Sequence, residues 1–113
     1  MAKDAARQGH FVGRWRITWM AMWGQGFVDA EVEGNFTFEP KKFGSFQFGY
    51  VKGDIDYRES VRDGKPCLEF SWNGKDEKDP ARGRGWAVLN GDQIEGVLFI
   101  HRGDESAFKA NRK

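Results

Sequence analysis

Residues 13–39 read GRWRITWMAMWGQGFVDAEVEGNFTFE, and their periodicity decides the fold class. In the first half Trp15, Ile17, Trp19, Ala21 and Trp23 recur at every second position, opposite Arg14, Arg16, Thr18, Met20 and Met22. In the second half Val28, Ala30, Val32, Gly34, Phe36 and Phe38 alternate with Phe27, Asp29, Glu31, Glu33, Asn35, Thr37 and Glu39. Successive side chains of a strand point to opposite faces, so a period of two with one dry and one wet set predicts strands. Gly24-Gln25-Gly26 between them predicts a hairpin turn.

The same reading extends along the chain. Phe46 and Phe48 share one parity, whereas Val51, Ile55, Tyr57 and Val61 hold the other. A change of phase near Gly49 or Gly53 leaves two readings open, one long bent strand or two shorter ones. Asp63-Gly64 is a turn signal, followed by Leu68, Phe70 and Trp72 alternating with Cys67, Glu69 and Ser71. A loop is expected over 73–83, then a strand from Trp86 to Leu89, the Asn90-Gly91 turn, a strand from Ile94 to His101, and a short last strand from Arg102 through Phe108. Residues 2–9 could make one frayed helical turn, too short to be stable alone. The sum is an all-β chain of six to eight strands, a small antiparallel up-and-down barrel or a strongly curved sheet, forming one domain over 1–113.

Composition agrees and excludes several classes. The 113 residues give room for one core. Ten Phe, five Trp and two Tyr are too many large apolar side chains for a disordered chain. No apolar run approaches the roughly 20 residues of a membrane-spanning helix, so no membrane partner is expected. With 18 Lys+Arg against 17 Asp+Glu the net charge is +1, which argues against a protein held mainly by nucleic-acid phosphates. The lone Cys67 excludes an internal disulfide, and no apolar stretch follows the charged residues after Met1; a cytoplasmic location is expected.

Gly13-Arg14-Trp15 followed by Ile17, opening the first strand, resembles the Gly-x-Trp start of calycin barrels such as lipocalins, fatty-acid-binding proteins and avidins. In lipocalins a late arginine covers that tryptophan, and the resemblance offers Arg102 or Arg112 for the role. The stretch from Phe70-Ser71-Trp72-Asn73-Gly74 through Gly83-Arg84-Gly85-Trp86-Ala87-Val88 is also similar to short uncharacterised bacterial proteins, from which no activity carries over.

Nothing marks a reaction centre. His10 and His101 are the only histidines, and nothing singles out a nucleophile, base and orienting carboxylate. One cysteine and two distant histidines do not make a zinc site. Gly83-Arg84-Gly85 starts like a dinucleotide fingerprint but has Val88 where the third glycine belongs. Asp76, Glu77 and Asp79 could face a hard cation, but Lys75 and Lys78 would repel it. No enzyme, catalytic residue, cofactor or metal is therefore expected.

The expected function is binding. Val97 and Phe99 oppose Ile94, Leu98 and Ile100, and Met20 and Met22 fall on the outward parity of the first strand. An apolar outer stripe of Met20, Met22, Val97 and Phe99 would pair with a second copy or another protein. The alternative is a lipocalin-like carrier of a small apolar or aromatic ligand, in a cavity walled by Trp15, Trp19, Trp23, Phe36, Phe38, Phe70, Trp72 and Trp86. These eight rings, at roughly 150–250 Å² each, would go far toward filling so small an interior. Arg82 and Arg84 are the expected loop contacts for an acidic partner. A third reading, single-stranded nucleic-acid binding, needs aromatics on the outer face beside those two arginines.

Overall fold

The computed structural model describes residues 9–113; the helical turn expected over 2–9 lies, but for Gly9, outside them. Eight strands alternate in direction: β1 Gly13–Met20, β2 Asn35–Phe38, β3 Phe43–Phe48, β4 Val51–Arg62, β5 Lys65–Asp76, β6 Asp79–Asn90, β7 Gln93–Ile100 and β8 Glu105–Arg112. Each pairs antiparallel with the next, and β8 returns to β1, closing an up-and-down barrel. Of the two sheet forms expected, the closed barrel is the one adopted. One short helix, α1 (Gln25–Val28), interrupts the run between β1 and β2.

The interior is a stack of rings. Phe36 lies at its centre, with ring centroids 4.7 Å from Phe108, 5.6 Å from Phe46, 5.9 Å from Phe38 and 6.1 Å from Phe70. Room for them comes from the opposite wall. The inward row of β6 is Ala81, Gly83, Gly85 and Ala87, set against Gly74, Trp72, Phe70 and Leu68 of β5. A Cβ on Gly53 would stand 2.5 Å from Phe46 and 2.8 Å from Trp72, and one on Gly85 would run into the Phe70 ring. Large and small residues interlock across the strands, as a close-packed interior requires.

Both ends are stoppered. Before β1, fully buried Phe11 packs edge-on to Phe38, with centroids 6.3 Å apart, and its carbonyl accepts a 2.8 Å hydrogen bond from Trp15 Nε1. At the other end buried Val28 of α1 is joined by Trp23, whose ring centroid is 4.9 Å from that of Phe48.

Three expectations about the elements are corrected, and one open choice is resolved. The strand predicted over Phe27–Glu39 is only β2; its first part forms α1 and a turn, and no hairpin forms at Gly24–Gly26. Asp29 draws that segment into a knot, accepting from the Gly34 amide (2.8 Å), Gln25 Nε2 (3.0 Å) and Arg16 Nη2 (3.1 Å). In β1 the alternation breaks at a bulge between Ile17 and Trp19, so Met20 turns inward and Trp19 outward. The loop expected over 73–83 is a continuation of β5 and β6 up to a two-residue turn at Glu77-Lys78. Pro80 is tolerated there because β7 pairs with β6 only as far as Gly83. Finally, the open choice over 43–62 resolves into two strands, with the turn at Gly49 (φ 56°).

Candidate functional site

The eight proposed cavity residues divide by position. Trp15, Phe36, Phe38, Phe70 and Trp72 are buried in the interior, and Trp23 is half-buried at its rim. Trp19 is 45% exposed on the outside, and Trp86 also faces outward, half-buried. The placement of these two is corrected for distinct reasons. The bulge reverses Trp19, and the glycine–alanine row of β6 claims the inward parity and leaves Trp86 on the other. The sequence carried that signal: Gly83, Gly85 and Ala87 offer the small partners that Trp72, Phe70 and Leu68 need.

Of the proposed interface residues, Met20 is 3% exposed and belongs to the core, so it is no part of an outer stripe. Met22 is exposed beyond the end of β1, its amide donating to Ser106 Oγ at 3.1 Å. Val97 and Phe99 lie on the outward parity of β7, half-buried. An outward apolar row does cross the wall: Trp86 pairs with Val97, and Val97 with Ala107. Trp19 and Val88 border the same cleft. Arg62 lies 5.2 Å from the Trp86 ring and Lys109 Nζ 5.7 Å from that of Trp19, so cations cover part of both rings.

Arg82 and Arg84 stand on strand β6 rather than a loop, both exposed. Their neighbours in register are Asn73 and Ser71 of β5. The Arg84 guanidinium carbon lies over the Phe99 ring, 4.4 Å from its centre. With His101 and Arg102 of the following turn they line an open cleft of about 700 Å³ on the outer wall. Neither His101 nor Arg102 was singled out in the sequence as a partner of these arginines, because only the pairing of β6 with β7 brings them together.

Of the two arginines offered for covering Trp15, Arg112 is the one that lies over it. Its guanidinium lies 4.2 Å from the Trp15 ring and donates to the carbonyls of His10 (2.7 Å) and Val12 (3.0 Å). Arg102 sits in the turn at the opposite end of the barrel.

Among the described residues, two side chains titrate away from their ordinary values. Burial, then the Glu59 and Glu39 carboxylates, push the Tyr57 phenol up to about 12. Its hydroxyl donates to the Glu39 carbonyl at 2.8 Å. For Asp29 burial alone would raise the carboxyl, but hydrogen bonds from Gly34 and Gln25 and the Arg16 charge together hold it below the usual range. Cys67, on the polar parity of its strand by sequence, is buried. Among the described residues no three His, Cys, Asp or Glu side chains gather as a metal site would need, and no helix is long and apolar enough to cross a membrane. The outward row Lys52, Asp54, Asp56 and Arg58 of β4 is exposed and charged.

No protein-family model, curated protein or solved structure matches the chain.

Proposed function

We propose that this chain is a non-enzymatic binding protein that works with the outside of its barrel, pairing with a second copy through the row of Trp86, Val97 and Ala107 together with Trp19. The observation that carries this reading is the division of aromatics. The interior is occupied by the chain's own rings, while two tryptophans border an apolar row on the outer wall. Symmetric dimers use one patch against itself, and tryptophan is a favoured anchor at such contacts. The lone, buried Cys67 suits a reducing, cytoplasmic setting.

A calycin-like affinity is the second part of the reading, supported by the Trp15–Arg112 stack and the eight-stranded closure. In this view the space such barrels give to a ligand is taken by Phe36 and its neighbours. A carrier role would require those rings to vacate it.

Light scattering tests the pairing. Wild-type protein at tens of micromolar is expected to have twice the chain mass, and the Trp86→Lys/Val97→Lys variant to be monomeric with an unchanged far-ultraviolet circular dichroism spectrum. A wild type of single-chain mass, or a folded variant that stays dimeric, contradicts it.

A further inference from the structure

The cleft across β5, β6 and β7 has a composition that the apolar row does not explain. On a chain of net charge +1 it gathers three guanidiniums, those of Arg82, Arg84 and Arg102, with His101 beside them. No carboxylate lines it. Among the described residues none of the three arginines forms an ion pair or donates a side-chain hydrogen bond; Arg14 and Arg62 are likewise unpaired, whereas Arg16, Arg58 and Arg112 are engaged. Arg82 and Arg84 are two apart on one face of β6, so their charges repel; directly across on β5 stand the uncharged Asn73 and Ser71, while Asp56 and Glu69 border Arg84 only on the side away from this cleft. Their forked donors suit phosphate oxygens.

The rest of the cleft is mixed, with Trp72, Phe99 and Ile100 beside Ser71 and Asn73. Arg84 lies over the Phe99 ring, 4.4 Å from its centre, and its side chain is exposed to a ligand. The Trp72 edge beneath is locked by a 3.1 Å hydrogen bond from Nε1 to the Phe99 carbonyl. Ser71 and Asn73 add a hydroxyl and an amide suited to hydrogen bonding with a base edge. Arginine planes and aromatic rings are the surfaces on which unpaired bases stack.

We propose that this cleft binds a nucleotide unit, its phosphate held by Arg82, Arg84 and Arg102 and its base stacked on the Arg84–Phe99 pair. The unit could come as a free mononucleotide or as part of a single strand; the recognising chemistry is shared. The cleft adjoins the apolar row, with Arg84–Phe99 the outward pair next to Trp86–Val97, but shares no lining residue with it, and the proposal does not rest on the chain dimerising.

The test is titration calorimetry of the full chain with inorganic phosphate, AMP, an eight-nucleotide single-stranded DNA and polyglutamate, each at low and at high salt. Saturable binding of AMP or of the oligonucleotide, tighter than that of phosphate, is expected. The ratio of the two affinities tells a mononucleotide site from a strand site. Arg82→Ala/Arg84→Ala exchanges two exposed side chains and is expected to weaken binding on the order of tenfold or more. For the oligonucleotide it should also flatten the dependence of log affinity on log salt by about 0.7 for every phosphate that is no longer neutralised. Phe99→Leu, which keeps an apolar group on β7, should weaken AMP while leaving phosphate unchanged. Absence of nucleotide binding overturns the proposal. So do phosphate or polyglutamate binding at least as tightly as AMP and the oligonucleotide, or a double variant that binds like wild type.

Discussion

Gly85 faces the tip of the Phe70 ring, and a Cβ there would also meet the Val97 carbonyl at 2.7 Å. A ring can rotate, but a strand carbonyl cannot move without disturbing its ladder. Gly85→Ala should therefore destabilise the barrel by about 1–3 kcal/mol, the usual result of overpacking a filled core. Gly24 has nothing within 4 Å of its would-be Cβ and a φ of −71°. Gly24→Ala should change stability by less than about 0.5 kcal/mol. Urea unfolding of the two variants checks the contrast. Tyr57 gives a residue-scale test by pH. Its folded pKa, about 12, lies above the roughly 10 of an unfolded tyrosine. Its contribution is thus complete below pH about 10 and is lost as pH rises through about 12. In a Tyr50→Phe background, where Tyr57 is the one remaining tyrosine, absorbance titration should show phenolate only near pH 12, together with unfolding.

At the scale of elements, α1 and the turn after it depend on Asp29. Because its folded pKa is depressed, its contribution is present above the unfolded value, about 3.9, and is lost as pH falls through the lower folded value. Asp29→Asn should lower stability at pH 7 and make the stability curve flatter as pH falls through and below the unfolded value of about 3.9, as followed by urea midpoints. The same segment shows where the sequence is silent. Its alternation is a sound strand pattern, and only the convergence of Gly34, Gln25 and Arg16 on one carboxylate makes a helix and turn better. The β1 bulge is hidden for a similar reason. Trp19 and Met20 are both apolar, so either parity could be buried, and the pairing with β8 makes the choice. Where one face is wet and the other dry, as over Val51–Arg58 of β4, alternation predicts inward and outward faces correctly, but Val61, on the same parity as Val51, Ile55 and Tyr57, is 73% exposed near the end of the strand. The role of β6 is legible only beside β5, since a row of glycines and alanines reads as weak until its partner ring row is known.

At the scale of the molecule, the all-β class and the up-and-down barrel are legible from periodicity, turn residues and the scarcity of helix-length segments. Closure is not, because it depends on β8 meeting β1, residues nearly the whole chain apart. Arg112 belongs to this scale, since it ties the last strand to the first through Trp15 and the His10 and Val12 carbonyls. Arg112→Lys keeps the charge but loses the flat fork, so it should recover little of the stability that Arg112→Ala removes, about 1–3 kcal/mol by urea unfolding. What the sequence leaves open is which rings lie inside, and with that whether the protein carries a ligand within or binds on its surface.

The most direct measurement is fluorine NMR of the chain labelled with 5-fluorotryptophan, in which each of the five tryptophans reports separately. On dilution the Trp19 and Trp86 signals should move as copies separate, while those of Trp15 and Trp72 stay fixed, and added retinol or long-chain fatty acid should leave the interior pair unchanged. Saturable one-to-one shifts of Trp15 and Trp72 with either ligand, and outer signals indifferent to dilution, would contradict the account.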